Sequence, residues 1–462
     1  MSVYCFCILL IIIMRVSAFY YFKNAEILIL NYISLIYQQF KEFHAVLCRF
    51  NSAGINSKPL NSCLKMNNQI SKLAQIAGAP SRIIAGLMSG TSLDGLDIAL
   101  CKFTGSGLNT KVRILNFTTL PYSQEFKEEL KSISFKNNTD LQKVTLLNAV
   151  IGTYSAQLIL ATLEAWGYEP ETVDLIASHG QTIFHAPFSL HQLPSFPNST
   201  LQIGDGDHIA AGTGIITISD FRQKHIASGG EGAPLAVYGD YLLFSDPIEN
   251  RILLNIGGIS NFTYLPAGRN PDLVFSTDVG PGNTLMDQYI QLHYPGKYYD
   301  KDAVIAKSGK PNEALVAALL DHPFFEESFP RTTGPELFNI TYLNKAQAKC
   351  GDVWLSPEDV MASLCEFTAV SIVNAIKKSI TDQSFEVYLS GGGMHNPLLA
   401  QKISEGLSIP LQNTSDLGID PDAKEAVLFA LLANECVAGG TTDFGNRPGI
   451  PSVTMGKISL PR

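Results

Sequence analysis

This sequence predicts an α/β protein built from two related domains, on three observations. From Ser81 onward, strand-like and helix-like segments alternate. A strand, Gly-rich turn, strand design occurs around 83–103 and again at 252–265. Gly-rich turns lie at 86–95, 257–258, 280–282 and 391–393, each beside a strand-like run. With 462 residues the chain has room for two domains, at roughly 100–200 residues each. The divisions expected are an atypical leader over 1–80, a first domain over 81–249 and a second over 250–462.

Taken in order, 83–87, 96–103 and 112–118 read as strands. A long helix over 141–166 is opened by Asp140 as N-cap and closed by Gly167, with Pro170 beyond. The acid-led run VDLIAS at 173–178 is a buried-strand pattern ending at the polar group HGQT, read as a turn. Residues 215–219 repeat the pattern and end at Asp220, and 232–244 read as a helix crossing between domains. In the second half, 252–256 is apolar, Gly257 and Gly258 turn it, and 261–265 returns. A later helix has Ser356 as N-cap, Pro357 at the first helical position and Asp359 three residues after the cap. A strand at 386–390, three glycines and a helix from Asn396 follow.

The first 65 residues differ from the rest, with one glycine (Gly54), no aspartate and an apolar run, YCFCILLIIIM, at 4–14. That run lacks preceding positive charge and falls short of the ~20 residues that span a bilayer. The expectation is that Met66 is the native start, with a membrane-targeting leader as the alternative. Four of the eight cysteines lie in this leader and four are scattered beyond it without metal-binding spacing, which suits a reduced, cytoplasmic body. A net charge of −9 argues against nucleic acid or an anionic membrane as partner.

The turn GLMSGTSLDGLD at 86–97 presents backbone N–H groups and hydroxyls toward one point, as an anionic phosphate requires. By itself it is equally an ordinary polar hairpin, and it lacks the Gly-Lys-Ser/Thr of a P-loop. Four such turns beside strands are economically explained by a nucleotide, with Gly257, Gly258, Gly391 and Gly392 as further backbone contacts. Asp278, in STDVGPGN, can accept a proton from a hydroxyl or water or can cap the helix that follows. Asp220 is open to a catalytic role or a strand-end salt bridge with Arg222. Glu425 can bind sugar hydroxyls or face solvent. His179 and His185 are spaced by six residues, which does not suit one metal. A substrate-contacting turn or a satisfied core histidine fits better.

Together, GLMSGTSLDGLD, SHGQTIFH, ISDFRQKHIASGGEGAPL, LLNIGGISNFTYL, DVGPGNTLMD, TTGPELFN and SGGGMHNPLL, in this order, resemble the anhydro-N-acetylmuramic acid kinase family over about 83–458. The resemblance implies two actin-like (ribonuclease H-like) domains with a nucleotide cleft between them. It implies ATP and Mg²⁺ as cofactors and an amino sugar, 1,6-anhydro-N-acetylmuramic acid, as substrate, hydrolysed at its anhydro bond and phosphorylated on O6 in peptidoglycan recycling. Asp278 matches the catalytic base. Gly90, Thr91, Ser92, Leu93, Asp94, Gly95, Leu96 and Asp97 match the phosphate-binding segment, and Glu425, Arg222, Asp220 and His179 fall to the substrate side. No metal ligand is assigned, and a homodimer is left open. Glu231 stands where the family usually has glutamine, and 189–198 is slightly longer than usual. Another sugar or carboxylate kinase of this fold, or an actin-like or chaperone-like ATPase, is the alternative.

Overall fold

Two sheets of like construction carry the chain, seen in a computed structural model that describes residues 67–462 apart from 352–353, 381–383, 441, 446 and 448. The expectations for 1–65 and for a start at Met66 fall outside the described residues. The strands are β1 (Ser81–Ser89), β2 (Gly95–Thr104), β3 (Lys111–Pro121), β4 (Leu175–Ala186), β5 (Ser199–Ile203) and β6 (Thr217–Ser219). They continue as β7 (Arg251–Ile256), β8 (Ile259–Leu265), β9 (Phe275–Pro281), β10 (Glu386–Ser390), β11 (Leu411–Asn413) and β12 (Lys457–Ser459). The first sheet runs β12-β6-β4-β1-β2-β3, with β5 paired to β4, and the second runs β11-β10-β7-β8-β9.

In each sheet three consecutive antiparallel strands are followed by two parallel ones, β3-β2-β1-β4-β6 and β9-β8-β7-β10-β11. That duplicated order is the ribonuclease H-like layout, and two copies of it make the fold actin-like. Strands β1, β4, β6, β7, β9 and β10 all deliver their carboxyl ends to one edge of their sheet, where open α/β sheets bind ligands.

The helices that matter below are α1 (Asn68–Gly78), α2 (Leu141–Ala165), α3 (Gly206–Thr213), α4 (Phe221–Ala227) and α5 (Ala236–Phe244), then α6 (Thr284–His293), α7 (Pro357–Ser379), α8 (Pro397–Leu407) and α9 (Lys424–Ala438). Their starts follow local chemistry. Asp140 accepts from Gln142 N, Ser356 from Asp359 N and Asn396 from Leu399 N, satisfying N–H groups that the first turn leaves open. Both α2 and α7 are as long and apolar as a membrane span, but α7 is packed inside the second half. Residues 68–78, grouped by sequence with the leader, form α1, which packs on α9 and buries Ile76.

One apolar layer is shared by both sheets. Ile84, Ala99 and Ile216 of the first join Leu253, Leu265 and Tyr388 of the second around Tyr238, Tyr241 and Phe429 from α5 and α9. An ion pair crosses the same layer. Lys424 Nζ lies 2.8 Å from Asp240 Oδ1, off the line of a directed hydrogen bond, while Thr263 Oγ1 of β8 donates to Asp240 Oδ2 at 2.9 Å. Helix α9 packs across β1, β2 and β4, and β12 pairs with β6, so residues late in the chain complete the first sheet.

Strand β4 departs from the sequence reading. It does not stop at HGQT but runs through it to Ala186. Gly180 takes φ +74° and the β1–β4 register slips between Leu87 and Ser89, a bulge that absorbs the polar group within the strand.

Candidate active site

The first Gly-rich turn, Gly90 to Asp94, joins β1 to β2 and is clamped from β4. Ser89 Oγ donates to Gln181 Oε1 at 2.6 Å, and Gln181 Nε2 donates to Gly90 O at 3.2 Å. Leu93, at φ +59°, buries its side chain beneath the turn, leaving Thr91, Ser92 and Asp94 exposed at its tip. Gly95 and Leu96 are buried as β2 begins. Asp97 is half-buried and accepts from Thr119 Oγ1 at 2.6 Å. Burial pushes its carboxyl up, and nearby Asp422 and Asp94 push it further.

At the end of β6, Asp220 adopts φ +52° and forms an ion pair with Lys457 of β12, a salt bridge whose partner is not Arg222. Arg222, on α4, has other contacts. Its Nε donates to His179 Nε2 at 3.0 Å and its Nη1 to Gly232 O at 2.7 Å. Gly232 N–H in turn donates to His225 Nδ1 at 2.9 Å, so the GGEGAPL loop is held from both sides of one residue. His179 is buried against Phe429, ring centroids 4.6 Å apart, which makes it a core histidine that orients Arg222. The backbone of Gly180 and Ser89 favours its proton slightly, but Nδ1 makes no well-formed hydrogen bond. Burial, reinforced by Arg222, pulls His179 down to about 3 and His225 to about 4, so both accept as neutral rings.

This arrangement predicts that His225→Ala, which leaves the buried Gly232 N–H without its acceptor, lowers unfolding free energy by about 1–3 kcal/mol in urea titration. His225→Asn, whose Oδ1 falls near the Nδ1 position, is expected to recover most of that. Equal losses in both would assign the effect to ring packing on Tyr238 instead.

Glu425 stands in the first turn of α9, and its pKa is pushed up by burial and by Asp97, with Lys424 and Arg222 pulling it back. Yet solvent reaches the side chain freely. Strand β2 and helix α4 bring Asp97 and Arg222 each into electrostatic range of Glu425 on helix α9. Burial lowers the Arg222 guanidinium to about 10, opposed by Glu425.

On the second sheet three glycine segments are stitched together. Gly282 N–H donates to Gly258 O and Asn283 N–H to Gly257 O, both at 2.8 Å, folding 280–283 onto the β7–β8 turn. Gly391 follows β10 at φ +80°, where a Cβ would lie 2.6 Å from Asn255 Oδ1 and 2.8 Å from Ile256 O. Only glycine permits that approach. Beside Gly392 opens a cavity of about 570 Å³, lined by Asn283, Asp287, Tyr299, Asp300 and His395 among others. Burial pushes Asp287 up to about 6.

Asp278 sits within β9, opposite Asn261 of β8, rather than capping α6, whose N-cap is Asn283. Thr333 N–H donates to its Oδ2 at 2.9 Å, leaving Oδ1 available. Burial raises its pKa, opposed by the Thr333 bond and reinforced by Glu336. Buried Arg331 secures this register: its carbonyl accepts from Asp278 N at 3.0 Å, its N–H donates to Thr277 Oγ1 at 3.0 Å, and its guanidinium lies over Phe324.

Gln181, His225, Asp287 and Glu336 went unnoticed as site residues in the sequence. Asp287 had one usable signal, since it lies one helical turn after Asn283 on the helix that follows the glycines.

A sequence profile of the anhydro-N-acetylmuramic acid kinase family matches residues 82–455. The chain is 54% identical over 400 residues to the anhydro-N-acetylmuramic acid kinase of Pseudoalteromonas atlantica, covering 86% of this chain and all of that protein. The enzyme of that name from Caldanaerobacter subterraneus is 39% identical over 394 residues, 84% of this chain and all of its own length. Among solved structures, the ligand-bound xylulose kinase of Lactobacillus acidophilus aligns over 82% of this chain and 94% of its own, at 10% identity and a TM-score of 0.37. A profile match across nearly all the described residues and full-length relatives at this identity establish that the chain belongs to the anhydro-N-acetylmuramic acid kinase family.

Proposed function

We propose that the protein is an ATP-dependent kinase. It hydrolyses the 1,6-anhydro bond of 1,6-anhydro-N-acetylmuramic acid and phosphorylates O6, giving N-acetylmuramic acid 6-phosphate and ADP in cell-wall peptidoglycan recycling and amino-sugar catabolism. The observation that carries this reading is the meeting of the 257–258, 280–282 and 391–393 glycines beside Asp278, in a chain of this family. Residues 90–97 and Gly257–Gly258 hold the ATP phosphates from the two sheets, and the cavity beside Gly391 and Gly392 takes the nucleoside. Arg222, preset by His179, and Glu425 hold the sugar, with Asp220 supporting that edge through Lys457. A division into 81–249 and 250–462 serves as the domain frame, with α9 and β12 returning to the first half.

In the reaction Asp278 takes a proton from a water that attacks the anomeric carbon. The bond from that carbon to O6 breaks, and the freed O6 attacks the γ-phosphorus as ADP leaves. Among the described residues no three histidine, cysteine or acidic groups converge as a metal cage. Asp94 and Asp97 at the phosphate turn are the carboxylates that would hold Mg²⁺ together with the ATP phosphates. When bound, the ion would supply charge neutralisation for the transferring phosphoryl group. The cysteines among the described residues are all free thiols, with burial pushing Cys101 and Cys365 up to about 12, which suits a cytoplasmic enzyme. The acidic balance suits a small-molecule substrate rather than nucleic acid or membrane.

Incubation with ATP, Mg²⁺ and the anhydro sugar tests this, with the 6-phosphate read by mass spectrometry. ADP without sugar phosphate would refute the assignment. In ¹⁸O water the label is expected at the anomeric carbon and not in the phosphate.

A further inference from the structure

The 332–339 turn beside Asp278 carries a second carboxylate that the chemistry above leaves unused. Thr333 N–H binds Asp278 Oδ2, and the next residue, Gly334, lies so close to Glu336 that a Cβ on it would overlap the carboxylate. The two carboxyl groups therefore flank one short stretch of backbone. Their surroundings differ sharply. Asp278 is half-buried in β9, whereas Glu336 is exposed and lines a surface cavity of about 370 Å³ with His322, Asn339, Lys345 and Lys349. Arg331, also near Asp278, has its guanidinium engaged with the carbonyls of Phe324, Val279 and Asp278 itself. Strand β8 places the neutral Asn261 opposite.

Water attack leaves one proton on Asp278 in each turnover, and that proton must reach solvent before the next. We propose that Glu336 acts through Asp278 as a positioning residue: its negative charge keeps Asp278 basic, and its carboxylate accepts the Asp278 proton through an intervening water and releases it into the cavity. This rests on the reading of Asp278 as the base. One like charge makes its neighbour the stronger base, and exposure of Glu336 keeps the effect modest.

The test is the pH profile of kcat/KM, with Glu336→Gln and Glu336→Asp measured beside wild type and Asp278→Asn. In Glu336→Gln the acid limb is expected to move to lower pH by about half a unit. Its plateau kcat is expected to fall about tenfold through the weaker base and the lost acceptor. Glu336→Asp, which keeps the charge, is expected to stay close to wild type on both measures. Unchanged ATP binding in calorimetry would show that the variants are folded. Near-normal turnover in Asp278→Asn would overturn the base assignment and this inference with it. A dead Asp278→Asn beside an unmoved limb in Glu336→Gln would overturn this inference alone, as would equal defects in the Asp and Gln variants.

Discussion

Asp278→Asn is expected to lose at least ~10²-fold in sugar-dependent turnover while still binding ATP. The substitution preserves size and an oxygen for the Thr333 N–H bond, so β9 and the 331–333 segment keep their register. What disappears is the capacity to take a proton. Because burial raises the Asp278 pKa above the ordinary carboxylate value of 3.8, wild-type kcat/KM is expected to fall as pH drops through that raised value. The acid limb belongs to the free enzyme's base, and the variant should lack it. Nucleotide affinity by calorimetry and 6-phosphate formation by mass spectrometry separate the two effects. Near-normal product formation would remove Asp278 from the chemistry.

The largest stability effect is expected at the ion pair that joins α5, α9 and β8. Asp240 is almost fully enclosed, with its side chain 4% exposed against 17% for Lys424. Asp240→Ala strands the Lys424 ammonium and removes the acceptor for Thr263, a change expected to cost about 3 kcal/mol. Removing both charges with apolar side chains, in Asp240→Leu with Lys424→Met, is expected to cost far less, because no buried ion is left uncompensated. Urea midpoints at constant m-value give the comparison. Equal costs for the single and double variants would show that the pair is not the source. Lys424 also holds the Glu425 pKa down, so its loss should raise that pKa and weaken sugar binding first at low pH.

Much of the fold was legible because its signals are local. Asp140 and Ser356 cap the helices they were expected to cap, the helix expected from Asn396 starts there, and both strand, glycine turn, strand units form. The glycines of the second half and Asp278 could be named as candidates for a related reason, since the glycine runs stand beside strand-like segments in the sequence. Pairings between distant segments were not legible. Nothing near Asp220 announces Lys457, and nothing near Arg222 announces that His179 would be its buried acceptor. The bulge at Gly180 hid strand residues under a polar pattern that reads as a turn. Gln181 escaped notice because its work is done away from its own strand, at Ser89 of β1 and at Gly90 of the first turn.

The return of α9 and β12 to the first sheet has a consequence for synthesis. Strands β7 to β11 are contiguous in the chain and can pair as soon as residue 413 is free. The face of β1, β2 and β4 that α9 covers lacks that helix until residues 424–438 emerge, and β6 waits longer still for β12. The half made first is therefore finished last, and part of its apolar face stays open while the strands of the other half pair. Chains stalled before residue 424 are expected to show a protease-resistant second sheet and a sensitive first one, making the emerging nascent chain, rather than the mature enzyme, the form most in need of a chaperone.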